Sequence, residues 1–141
     1  MALKITQEQK NRIAKIAKRY NLEMVLLFGS QINGKARPDS DLDIAVLDNK
    51  PETYQRFGNL FNLFSRIFSG FNIDLRLIKN SEPVLLFSVF NDGQLLYGDT
   101  QKYFNYKAFA YKNYVDSKPL FELKQRLLEK RQKKLNKLIN D

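Results

Sequence analysis

Neither cysteine nor histidine occurs among the 141 residues. The first absence removes disulfides, zinc–thiolate sites and a thiol nucleophile; the second removes the usual general base and a frequent metal ligand. Any catalysis by this chain therefore runs on carboxylates, hydroxyls, Lys or Arg. Long apolar runs are also missing. Met1 to Tyr20 breaks its apolar residues with charges every few positions, unlike a signal peptide, and no stretch reaches the roughly 18 uninterrupted apolar residues of a membrane span. A soluble, cytoplasmic protein without membrane contact is expected. No internal repeat, low-complexity tract or linker interrupts the chain.

What is present describes a globular protein. Hydrophobic residues make up 43% and aromatics 13%, enough for a core, and the length suits one domain. Twenty-four Lys and Arg against fifteen Asp and Glu leave a net charge of +9, which predicts attraction to a polyanion, a nucleotide or an acidic protein surface without choosing among them.

Helical and strand patterns alternate along the chain. Thr6 and Gln9 fit a capping box, and Ile13, Ile16, Ala17 and Tyr20 share one helical face, so 7–20 reads as an amphipathic helix. Glu23 to Phe28 is a continuous apolar run stopped by Gly29, the pattern of a buried strand. From Gly29 to Ser40 the glycines, Pro38 and small polar residues predict a turn, a short helix and a loop. In the next strand Leu42, Ile44 and Val46 take the core side, while Asp41, Asp43 and Ala45 take a side facing solvent or a ligand.

Pro51 and Glu52 suit the first turn of the main core helix, on which Tyr54, Phe57, Leu60, Phe61, Phe64, Ile67 and Phe68 recur up to Gly70. Phe71 to Ile78 alternates as a half-buried strand. Ser81 as cap, Pro83 and Gly93 delimit a helix over roughly 82–92, and a short strand follows from Gln94 to Tyr97. Beyond Gly98 the chain is rich in helix formers, and Pro119 is expected to break or kink that stretch into two pieces. Residues 1–98 thus read as a core and 99–141 as a helical extension of the same domain.

The informative constellation is Gly29-Ser30, ten intervening residues, Asp41-Leu42-Asp43, and Asp74 on a later strand. Residues two apart on a strand share a face with side chains roughly 6 to 7 Å apart, so Asp41 and Asp43 point together. Carboxylates placed so repel each other unless a cation lies between them, and oxygen-rich sites of this kind suit Mg²⁺ completed by waters and substrate phosphates. Asp74 has the same polar-out phase; if its strand is a neighbour, three carboxylates converge, enough for a two-metal site. Gly29 and Ser30 sit where a strand gives way to a helical turn, and backbone N–H groups there bind anions such as a triphosphate. Asp74 could also accept the proton of an attacking hydroxyl. The bland alternatives are a strand-terminating Gly29 and an ordinary polar-face Asp74.

The segment FGSQINGKARPDSDLDIAV resembles the signature of the DNA polymerase β-like nucleotidyltransferase superfamily, and the small size is similar to its minimal nucleotidyltransferase (MNT) group. Within that group SEPVLLFSVFNDGQLLYG and the Tyr- and Phe-rich helix after it resemble the MNT antitoxins of HEPN/MNT toxin–antitoxin systems. The resemblance covers nearly the whole chain. It implies an α+β nucleotidyltransferase fold, a short mixed sheet packed on helices. It also implies Gly29 and Ser30 as the nucleotide-phosphate motif, and Asp41, Asp43 and Asp74 as the catalytic, metal-binding carboxylates. The reaction it implies is Mg²⁺- and ATP-dependent adenylylation of a tyrosine on a partner HEPN toxin, an RNase, which inactivates it. The short chain left after Gly98 for a small-molecule pocket agrees with a protein acceptor.

Three competing functions stay open: the same chemistry on a small hydroxyl compound of aminoglycoside type, a steric antitoxin that does not use the site, and a nucleic-acid binder, which only the net charge supports. Lys35 and Arg37 lie where cations could reach a phosphate, and Arg76 could pair with Asp74 or contact a phosphate. The leucines from Leu120 to Leu138, with Ile139 and seven Lys or Arg between Lys124 and Lys137, predict first a basic amphipathic helix lying on the domain's own core, next a docking helix for the toxin, and third an RNA contact. Tyr103, Phe104, Tyr106, Phe109, Tyr111 and Tyr114 read as packing or interface rather than an adenine stack.

Overall fold

The computed structural model describes residues 4–29 and 41–140. Helix α1 (Gln7–Tyr20) leads into β1 (Leu22–Phe28). Then follow β2 (Leu42–Asp48), α2 (Tyr54–Ile67), β3 (Ile73–Leu77), α3 (Pro83–Asp92), β4 (Gln94–Tyr97) and α4 (Thr100–Asn140). The capping box opens α1 as expected: Gln9 N donates to Thr6 Oγ1 at 3.1 Å, and Thr6 N donates to Gln9 Oε1 at 2.9 Å. Asn21, in left-handed conformation with φ 55°, ends that helix and turns the chain into β1.

The strands lie in the order β3-β2-β1-β4. β1 runs antiparallel to both β2 and β4, whereas β2 and β3 are parallel, so the sheet is mixed. One face packs on α1 and α2 through Val25, Leu27, Ile44, Val46, Leu60 and Phe64. The other packs on α3 and α4 through Met24, Leu26, Leu47, Val89, Phe90 and Ala110. This corrects the expectation that the second face of β2 is open: Ala45 and Leu47, in phase with Asp43, are buried. The strand is solvent-facing on that side only at its first residues, because α3 and α4 cover the rest.

Three helical expectations also change. α2 starts at Tyr54 with Thr53 as its cap, accepting from Arg56 N at 3.1 Å, so Pro51 and Glu52 precede the helix. Its stripe is buried at Leu60, Phe64 and Ile67, while Tyr54 is 99% exposed and Phe57 and Phe61 remain at the surface. Glu82, not Ser81, stands at the N-cap position of α3 and makes no side-chain bond to the helix; with Pro83 next, the first turn has one donor fewer to satisfy. α4 runs unbroken through Pro119. A proline removes one hydrogen bond, and the regular turns on either side keep their own ladders.

The predicted packing of the distal half of α4 on the core is overturned. Every residue from Lys118 to Asn140 is exposed. The proximal half does pack: Tyr106 stacks on Phe90 with centroids 5.8 Å apart and Tyr114 on Phe87 at 4.4 Å, which assigns these tyrosines to joining α4 with α3, while Phe104, Phe109 and Tyr111 are exposed. No described helix is long and apolar enough to cross a membrane.

Candidate active site

Two residues of the constellation meet because the sheet is parallel at this point. In the β2–β3 pairing Asp43 stands opposite Asp74, and in the β1–β2 pairing Phe28 stands opposite Asp43. The same register that aligns Ile44 with Leu75 in the core therefore sets two carboxylates side by side at the rim. Asp41 precedes the strand and is exposed.

Asp43 is in an adverse electrostatic position. Its pKa is raised to about 6, first by burial, then by the charge of Asp74. Arg76 opposes the shift, while the charge of Asp41 and a hydrogen bond that the protonated Asp43 carboxyl donates to Asp74 add to it. Arg76 Nη2 lies 3.3 Å from Asp74 Oδ2, so of its two expected roles the structure shows the pairing with Asp74. One guanidinium faces several carboxylates, an imbalance that a cation would relieve.

Gly29 closes the other side. Its φ of +85° lies in the region glycine favours, and a Cβ there would collide with Asp43 Oδ2. The backbone at the end of β1 thus passes directly over the carboxylate, and only a residue without a side chain permits that approach. Phe28, the cross-strand partner of Asp43, is buried beside it; its signal in the sequence is the last position of the apolar run.

Ser30, Lys35 and Arg37 lie outside the described residues. Among the described residues no three metal-ligating side chains gather tightly enough to enclose an ion. The chemistry of the donor set nevertheless fits Mg²⁺: hard oxygen ligands, few of them from protein, with places left for water and phosphate. Asp43 and Asp74, with Asp41 beside them, are the residues that would hold it.

The profile of the polymerase beta, nucleotidyltransferase family matches residues 11–102, and the chain belongs to that family. No curated protein sequence matches it. Among solved structures, a chain of a toxin–antitoxin crystal structure with AMP-PNP superposes with a TM-score of 0.61 at 23% identity, covering 92% of this chain and 98% of that one. A structure of a tri-AMPylated Shewanella oneidensis HEPN toxin in complex with MNT antitoxin gives 0.58 at 21% identity, over 96% and 99%. A spectinomycin adenyltransferase from Enterococcus faecialis with ATP and spectinomycin gives 0.50 at 20% identity, over 80% and 66%. At these identities the likeness establishes the shared nucleotidyltransferase fold.

Proposed function

We propose that this chain is an antitoxin of MNT type that transfers AMP from ATP to a tyrosine of a HEPN RNase toxin and thereby inactivates it. The observation that carries the reading is the juxtaposition of Asp43 and Asp74 across parallel strands beneath the backbone of Gly29, in a chain of the nucleotidyltransferase family. Further support comes from neighbours that match this chain over nearly their whole length and include a toxin–antitoxin with AMP-PNP and an AMPylated HEPN toxin with its MNT antitoxin.

In this reading Gly29 and Ser30 present backbone donors to the triphosphate, and Asp41, Asp43 and Asp74 hold Mg²⁺. The metal supplies charge neutralisation on the phosphates. The acceptor hydroxyl oxygen attacks the α-phosphorus, a new O–P bond forms, the α–β anhydride bond breaks, and pyrophosphate leaves. Asp74, paired with Arg76 on the exposed side, takes the hydroxyl proton. With no histidine in the chain, a carboxylate is the natural base.

Intact-mass spectrometry of the HEPN protein after incubation with this chain, ATP and Mg²⁺ tests the proposal. Mass gains in whole AMP units that vanish with Asp41→Asn, Asp43→Asn are expected. A stable complex with no mass gain, and neutralisation surviving both substitutions, would leave steric neutralisation in its place. A second reading, transfer to a small hydroxyl compound, draws on the likeness to the spectinomycin adenyltransferase; AMP appearing on spectinomycin but not on protein would favour it.

A further inference from the structure

The apolar residues of the distal half of α4 have no partner within the chain. Leu120 is 71%, Leu138 74% and Ile139 80% exposed, and Phe121, Leu127, Leu128 and Leu135 are also exposed. A stripe of this kind, about 34 Å long at 1.5 Å per residue, is larger than the scattered apolar surface of ordinary monomers. At its base it runs into a cleft of about 280 Å³ between α3 and α4, where Val84, Tyr114 and Phe121 form the apolar wall and Glu82, Lys118 and Glu122 stand at the edge.

Charge selects the occupant. Between Lys118 and Asn140 there are eight Lys or Arg and two Glu, a net of +6. Two copies of the arm laid side by side would bring like charges together along their length, so a second copy of this chain is a poor fit. A flat lipid surface would cover the stripe but leave the concave cleft beside Val84 and Phe121 unfilled, and Glu82 and Glu122 outnumber Lys118 there. A nucleic acid would use the cations and leave the leucines in water.

We propose that α4 from Lys118 onward, together with the cleft at its base, is a docking arm for a partner protein that offers an apolar groove rimmed by carboxylates. The partner is the acceptor protein of the proposed reaction, so the inference rests on that reading. The leucines fill the groove, the cations meet its rim, and an apolar side chain of the partner enters the cleft beside Val84 and Phe121. Because no residue of the arm is among the charged groups acting on Asp43, it supplies affinity for the acceptor rather than chemistry.

The test uses the full chain with Leu127→Asp, Leu128→Asp and Leu135→Asp, all at exposed positions, and a second variant, Lys130→Glu with Arg131→Glu. Affinity for the HEPN protein and AMP transfer to it are measured for each. About tenfold weaker binding or more is expected for the leucine variant, with KM for the acceptor raised in proportion and kcat at saturating acceptor unchanged. A smaller loss that disappears at high salt is expected for the charge variant. Unchanged affinity and KM in both variants would overturn the arm while leaving the adenylyl-transfer reading intact. Arm-dependent binding without any AMP transfer would sink the proposed chemistry and leave the arm standing. Leucine-dependent binding to phosphatidylcholine–phosphatidylserine vesicles, with HEPN affinity unaltered, would overturn the protein partner in favour of a lipid surface.

Discussion

At one end of β2, Asp48 is 4% exposed and fully partnered: Arg56 Nε donates to Oδ2 at 2.6 Å, Arg56 Nη2 to Oδ1 at 2.8 Å and Lys50 N to Oδ1 at 3.0 Å. At the other end, Asp43 meets Asp74, another carboxylate, and its pKa rises to about 6. Both are aspartates on one strand, five positions apart. The bidentate Arg56, which also donates to the Tyr20 carbonyl and lies over the Tyr20 ring, ties β2 to the ends of α1 and α2. The lesson is that a buried carboxylate supplied with a guanidinium fork is a structural joint, whereas one set beside a second carboxylate carries an unrelieved repulsion, which the proposed function assigns to cation binding. A compensated charge serves stability; an uncompensated one stores binding capacity.

Substitutions at the two ends should separate these roles. The largest effect is expected from Asp43→Asn, which should lower AMP transfer on the order of a thousandfold, comparable to loss of a principal charge-stabilising group. Its melting temperature should hold or rise, since one of two repelling carboxylates is gone. Mg²⁺ with ATP should raise the melting temperature of the parent and not of this variant, which differential scanning fluorimetry reads directly.

Next, Arg56→Met leaves Asp48 buried without its fork and should cost about 3 kcal/mol of stability in urea unfolding, with transfer per folded molecule little changed. A variant that lost activity at full stability would erase the distinction between the two ends. Gly29→Ala falls between them, because both the backbone and the carboxylate are disturbed. Forcing a side chain into the left-handed region costs about 1 to 2 kcal/mol, and the displaced Asp43 should reduce transfer more than the stability loss explains. The smallest effect belongs to Arg76→Gln: its pair with Asp74 is about half exposed, so stability should move by less than about 1 kcal/mol.

The sequence carried the frame of this comparison unevenly. Local signals were legible: the Thr6–Gln9 capping box, the apolar runs that became β1, β2 and β3, and the stop at Gly29. The phase shared by Asp43 and Asp74 was legible as well, but their meeting depended on β2 and β3 being neighbours, which no periodicity states. Burial of the second face was hidden because Asp41 and Asp43 suggested a polar side, although Ala45 and Leu47 continue the same phase into the core. The Asp48–Arg56 pair gives no sequence signal, since a pair bridging a strand end and a helix across an intervening loop leaves no repeat in the chain. The exposure of the distal half of α4 is hidden for a related reason: a helical stripe reports that an apolar face exists and is silent about what covers it. Ser30, Lys35 and Arg37 lie outside the described residues, so Ser30 as a phosphate donor, and Lys35 and Arg37 as phosphate contacts or simply solvated loop cations, stay sequence-based expectations.

Label transfer tests the central claim most directly. The HEPN protein would be incubated with this chain and Mg²⁺ in parallel reactions containing ATP labelled at the α-phosphorus or at the γ-phosphorus. Labelling of the protein from α-labelled ATP alone, abolished by Asp43→Asn, is the predicted result. Label from the γ-position, or none from either while the toxin is still neutralised, would contradict adenylyl transfer at the Asp43–Asp74 site.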